Sequence, residues 1–139
     1  MPTARAKRFE YAVDVAADGT MRADGDVPTT FPDGWSPDHL LLAALVRCVL
    51  KSLDHHAQRA EIETSGSGAA RGTVTQREDD GRYAFVEIEV ELQASLSPQP
   101  EPEPLHELLA KAERDCFVGA SLTVKPTYRW RIGGADNGA

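Results

Sequence analysis

Ser36-Pro37-Asp38-His39-Leu40-Leu41-Leu42-Ala43-Ala44-Leu45-Val46-Arg47-Cys48 decides how this chain folds. It is a helix start followed by an apolar run. Ser36 is a capping residue, Pro37 has the fixed φ that suits the first helical position, and Asp38 puts a negative charge at the positive end of the helix dipole. The pattern predicts a helix from here to about Ala60. Residues 40–46 are apolar on every side, as in a helix that is covered all round. In a chain of only 139 residues, a subunit interface is a natural source of that cover. Beyond this run the helix becomes amphipathic. Val46, Leu50, Leu53 and Ala57 form one stripe, and Arg47, Lys51, Asp54 and Gln58 form another.

Upstream, Phe9, Tyr11, Val13 and Val15 alternate with polar neighbours from Lys7 to Val15, which is a strand period. Asp18-Gly19 is a turn signal, and a short strand over Thr20–Ala23 would complete a hairpin. Residues 24–35 read as loop and residues 1–6 as a loose tail. Downstream, Thr64–Ala70 reads as a small-residue flexible stretch. Gly72–Arg77 and Arg82–Leu92 read as strands joined at Asp79-Asp80-Gly81. In the second of them Val86, Ile88, Val90 and Leu92 are expected to face inward, with Glu87, Glu89 and Glu91 toward water. Pro98–Pro104 reads as an extended linker. Leu105, Leu108, Leu109, Ala112 and Cys116 then fall on one helical face. Leu122–Ile132 reads as a strand in which Pro126 points to an edge or a bulge, and residues 133–139 read as a tail. Hairpins cluster instead of alternating with helices, so the expected class is α+β, in a single domain over residues 1–139.

The formal charge is −7, which argues against nucleic acid or an anionic membrane as partner. No apolar segment follows the charged N-terminus. The longest apolar run, residues 40–46, is far short of the roughly 20 residues that span a bilayer. The expected location is cytoplasmic.

Cys48 and Cys116, 68 residues apart, are the chain's two cysteines. In a reducing compartment they are either small buried hydrophobes or a redox pair, and spacing alone leaves both readings open. A reactive thiol needs access and a positive neighbour. Arg47 is a candidate, although its stripe also reads as a solvated face. A thiolate so placed attacks the O–O bond of a hydroperoxide to give a sulfenic acid, which a second thiol converts to a disulfide. His55 stands seven residues from Cys48, about 10 Å along a helix and too far for a Cys–His nucleophile pair. His55 and His56 lack the i, i+4 spacing of a helical zinc site, and His39 and His106 are scattered, so no metal is expected. The sequence carries no phosphate loop, no GxGxxG and no GxSxG.

The segment Ser36–Cys48 resembles the "(N/S)-P-E-x-L-L-x-A-A-…-C" stretch of the OsmC/Ohr family, the osmotically inducible and organic hydroperoxide resistance proteins. Ala112-Glu113-Arg114-Asp115-Cys116-Phe117-Val118-Gly119-Ala120-Ser121-Leu122 is similar to the family's "A-x-x-x-C-P-V-S-x-x-L". The resemblance covers nearly the whole chain. It implies strongly curved antiparallel sheets wrapped around a long central helix in an intertwined homodimer. It also implies a thiol-dependent peroxidase for organic hydroperoxides, with Cys48 peroxidatic and Cys116 resolving. Reduction would come from an external dithiol such as a lipoyl group, with no haem or metal cofactor. The family's peroxidases carry a glutamate where this chain has Asp38, paired with an arginine that holds the thiolate. Arg22 is the nearest candidate for that arginine in the N-terminal strands, and Arg47 is the other. Phe117 follows Cys116 where the family has proline. The alternative reading is a member of the same fold with inert cysteines that binds a small apolar ligand.

Overall fold

The computed structural model describes residues 6–133 and 135–138, so the tail expectations for residues 1–5, 134 and 139 lie outside the described residues. The chain divides into two compact units, Met1–Ser36 and Pro37–Ala139.

The first unit is a three-stranded antiparallel sheet of β1 (Val13–Val15), β2 (Met21–Ala23) and β3 (Val27–Thr29) in that order. The expected hairpin forms, with Val13 opposite Ala23 and Val15 opposite Met21. Its turn is held by the Thr20 N–H donating to Asp18 Oδ1 at 2.9 Å, a bond that lowers the Asp18 pKa. The first strand is shorter than its alternation predicts. Residues 24–35, expected as loop, contain β3. Its Pro28 sits opposite Arg22, and proline is tolerated there because β3 is an edge strand. Tyr11, Val13 and Val15 share one phase and are 74%, 66% and 67% exposed, so this apolar stripe is left uncovered by its own unit.

The second unit begins with α1 (Pro37–Arg59), as the capping residues and periodicity predict. Leu45, Val49, Leu53 and Ala57 are fully buried along it. Residues 40–43 are only half-buried and Ala44 is exposed, so the all-round cover expected of the apolar run is not supplied within one chain. The helix stops where Glu61 takes a φ of 61° and the Ile62 N–H donates to the Ala57 carbonyl at 2.9 Å, closing off the last turn.

A four-stranded sheet follows, ordered β4 (Glu63–Gln76), β5 (Tyr83–Ser97), β6 (Thr127–Ile132) and β7 (Ala135–Gly138). β4 corrects the expectation of a flexible Thr64–Ala70, because those residues are paired along β5. Their small size has a packing reason. A Cβ added to Gly66 would lie 2.9 Å from Leu50 Cδ2, and one added to Gly68 would lie 3.1 Å from Val46 Cγ1. At Gly72 it would strike the Phe85 ring and reach Leu42. The bare backbone of β4 thus lets α1 settle close onto the sheet.

The β4–β5 hairpin turns at Asp79-Asp80-Gly81 as expected. Arg77 clamps Asp80 at 2.6 Å, and Gly81 adopts a φ of 69°. A bulge between Thr73 and Val74 shifts the register, so Val86 is exposed and Phe85 packs on the core in its place. The expected alternation resumes at Ile88, Val90 and Leu92, and runs on through Ala94 and Leu96.

Pro102 to Pro104, expected within a linker, form the first turn of α2 (Pro102–Arg114), where proline's missing N–H costs nothing. Leu105, Leu108, Leu109, Ala112 and Cys116 are all buried, as their spacing predicts. After the four-residue α3 (Phe117–Ala120), β6 begins only at Thr127, later than predicted, and Pro126 stands just ahead of it. β6 runs parallel to β5, so this sheet is mixed where antiparallel pairing was expected. Part of the expected C-terminal tail is β7, antiparallel to β6. The architecture is α+β. The parallel β5–β6 step requires a crossover, and α2 and α3 are that crossover, packed against α1. Among the described residues no helix is long and apolar enough to cross a membrane.

Candidate functional site

The crossover brings the two cysteines together. Cys48 projects from the middle of α1 and is half-buried. Cys116 caps α3 and is completely buried. Both are free thiols, and they lie near enough for Cys48 to act on the Cys116 thiol. The Gly119 N–H donates to Cys116 Sγ at 3.5 Å. Burial pushes the Cys116 thiol up to about 11, against the pull of the Gly119 amide, and the adjoining Cys48 raises it further. One thiol is therefore accessible and the other is buried and held protonated. That asymmetry suits an attacking sulfur and a second sulfur kept in reserve behind it.

The pH consequence is measurable. In a Cys48→Ser chain, Cys116 is the sole thiol, and burial still dominates its environment. Its alkylation by iodoacetamide at pH 7.5 should be on the order of 10²-fold slower than that of a free cysteine, rising about tenfold per pH unit toward pH 11. The folded chain keeps a proton that the unfolded chain releases above about pH 8.5, so stability is lost as pH rises through this window. The slope should reach at most about 1.4 kcal/mol per pH unit in urea titrations, and a flat profile would contradict the assignment.

Around the thiols lies a polar cluster that the sequence reading missed. Tyr128, on β6, has its hydroxyl 2.7 Å from the position a Cβ on Gly119 would take, with Cys116 Sγ 3.6 Å from the same point. Burial raises the Tyr128 pKa, and Cys116, Glu113 and Cys48 add to the rise. Trp130, fully buried on the same strand, donates from Nε1 to Glu113 Oε2 at 2.7 Å. Glu113 is itself raised by burial, with the Trp130 bond and nearby His106 opposing. One signal for Glu113 was present in the sequence. It continues the Leu105, Leu109 row of α2 by another four residues, placing a carboxylate at a core-facing position. Nothing local announced its partner.

His56, rather than the exposed His55, faces the joint after α2. Its Nε2 lies 2.8 Å from Asp115 Oδ2. Ser52, between Cys48 and His56 on the same row, has a buried hydroxyl with no hydrogen-bond partner among the described residues.

Asp38 is exposed in the first turn of α1, ten residues and about 15 Å of helix from Cys48. Arg47 is exposed on the same helix. Neither makes an ion pair among the described residues. Arg22 is exposed on β2, in the first unit. Among the described residues no three His, Cys, Asp or Glu side chains group as a metal-holding cluster.

Several solved structures share this fold. An OsmC-like protein of unknown function from Vibrio cholerae superposes with a TM-score of 0.70 at 16% identity, covering 90% of this chain and 99% of that one. An organic hydroperoxide resistance protein from Elizabethkingia anophelis gives 0.62 at 19% identity, over 93% of this chain and 100% of its own. One from Bacillus subtilis gives 0.55 at 20%, over 88% and 96%. No curated protein matches the sequence. The sequence model of the family described as OsmC-like protein matches residues 30–131, which take in both cysteines, α1 and the whole crossover. On that match, the chain belongs to the OsmC-like protein family.

Proposed function

We propose that this protein is a thiol-dependent peroxidase that reduces organic hydroperoxides. The observation that carries the reading is the nearness of a half-buried Cys48 to a buried Cys116, brought together from separate elements of the fold. The Cys48 thiolate attacks the O–O bond of the hydroperoxide. The alkoxide leaves as alcohol after taking a proton, and Cys48 becomes a sulfenic acid. The Cys116 sulfur then attacks the Cys48 sulfur, the hydroxyl departs as water with the Cys116 proton, and a disulfide results. An external dithiol, of which a lipoyl group is the chemical type, restores both thiols and is itself oxidised to a disulfide. The cycle balances on sulfur alone and calls for no metal or cofactor.

Arg22 or Arg47 would supply the positive charge that holds Cys48 as thiolate, with Asp38 orienting that arginine. At about 15 Å along the same helix, Asp38 does not reach Cys48 within one chain, so its role calls for a second copy. A homodimer is also supported by the uncovered Tyr11, Val13 and Val15 stripe and by the half-exposed apolar start of α1. We place the reaction in the cytoplasm, where dithiol reductants are available.

Titration with cumene hydroperoxide tests the reading. One equivalent per chain should remove both free thiols and leave an intramolecular Cys48–Cys116 disulfide, seen by mass spectrometry of unreduced peptides. Slow thiol loss with no disulfide would favour the inert, ligand-binding alternative.

A further inference from the structure

Besides the nearness of the thiols, a hydrogen bond ties α1 to the joint after α2. Cys48, Ser52 and His56 succeed one another at intervals of four residues, so they line one side of the helix. Asp115 immediately precedes Cys116, and its N–H closes α2 on the Lys111 carbonyl at 3.0 Å. Cys116 then opens α3. Two adjacent residues of the joint therefore engage α1 at two points, Cys116 at Cys48 and Asp115 at His56, about 12 Å apart along the helix axis. The Asp115 carboxylate is also gripped by Arg114, from Nε at 2.9 Å and Nη2 at 3.0 Å. Arg114 belongs to the joint itself, so it orients the carboxylate without adding a tie to α1.

We propose that His56 and Asp115 are positioning residues for the thiol pair, their hydrogen bond holding Cys116 against Cys48. The role rests on the disulfide step of the peroxidase reading, and neither side chain touches the reacting sulfurs. A disulfide needs its two sulfurs about 2.05 Å apart in a narrow range of torsions. α2 and α3 pack on α1 to either side of the joint, so the bond acts on the short stretch between them, where added looseness would cut the time Cys116 spends in reach. The His56–Asp115 bond limits that looseness. It also explains why His56 is largely buried beside a carboxylate, its side chain only 16% exposed, on a helix whose remaining polar side chains mostly face water.

The test sets a peroxide-free redox equilibrium beside the peroxide turnover of the same chains. The parent, His56→Leu, Asp115→Ala and the double variant are equilibrated in glutathione redox buffers, and the fraction of Cys48–Cys116 disulfide is counted after acid quench. Each single variant should lower the effective concentration of one thiol at the other by about five- to tenfold. The double variant should be no lower than the worse single one, because both remove the same bond. His56→Gln, which keeps a donor on the side chain, should recover part of the loss. Additive losses in the double variant, or no loss in either single variant, would overturn the proposal. An unchanged equilibrium beside normal peroxide turnover condemns the positioning role alone. A shifted equilibrium without turnover in the parent condemns the peroxidase reading alone.

Discussion

Cys48→Ser is expected to lower dithiol-driven consumption of cumene hydroperoxide by on the order of 10³-fold or more. A serine hydroxyl at this site is neither ionised near neutral pH nor soft enough to attack peroxide oxygen. Cys116 offers no substitute, since it is fully buried and its thiol is pushed up to about 11. Cys116→Ser should behave differently. Its first equivalent of peroxide is consumed at a rate close to the parent's, but the product stops at the Cys48 sulfenic acid. Dimedone should trap that species, and excess peroxide should drive it on to the sulfinic acid. The contrast between the two variants separates a peroxidatic thiol from a resolving one. If Cys48→Ser consumes peroxide with dithiothreitol as fast as the parent, the proposed function is wrong.

The second large effect is structural. Trp130→Ala should cost about 3–5 kcal/mol of stability, a large share of the 5–15 kcal/mol that usually holds a domain. Trp130 is completely buried, and its removal leaves a cavity against β5 and α2. It also removes the only donor bonded to Glu113 among the described residues. With that donor gone, burial of the carboxylate is less opposed, and the raised Glu113 pKa should climb further. A carboxyl raised in the folded state keeps a proton that the unfolded chain has lost, so stability falls as pH rises above the usual carboxylate range. This fall should be steeper in Trp130→Phe, where most of the ring volume is kept and the N–H is lost. Urea midpoints of the parent and both variants at pH 5 and pH 8 measure the two effects. A Trp130→Phe chain with the parent's pH profile would show that the bond to Glu113 has no thermodynamic weight.

The elements legible in the sequence are those whose signal is local. α1 follows from Ser36, Pro37 and Asp38 and from the apolar spacing behind them. The β5 alternation and the Leu105–Cys116 face follow from periods of two and 3.6. What was not legible depends on distant neighbours. Gly66 and Gly68 look like part of a flexible stretch until the side chains of α1 that lie on them are known. Val86 looks inward until the bulge at Thr73/Val74 turns it out. Pro102 and Pro104 read as linker because proline disfavours helices everywhere except the first turn, which is where they stand. The site divides in the same way. The two cysteines stood out through the family's motifs, and the roles proposed for them rest on that resemblance. The bonds from Glu113 to Trp130 and from His56 to Asp115 join residues whose sequence neighbourhoods say nothing of each other.

The parallel step from β5 to β6 has a temporal consequence. Its two strands pair only after the whole crossover has been laid down between them, so this contact carries a high loop-closure cost and belongs late in assembly. The thiols, on α1 and at the start of α3, likewise meet only once the crossover packs on α1, and before that oxidant meets each of them separately. In the proposed cycle, a chain whose thiols have not yet met has no resolving sulfur, and each thiol is open to irreversible oxidation.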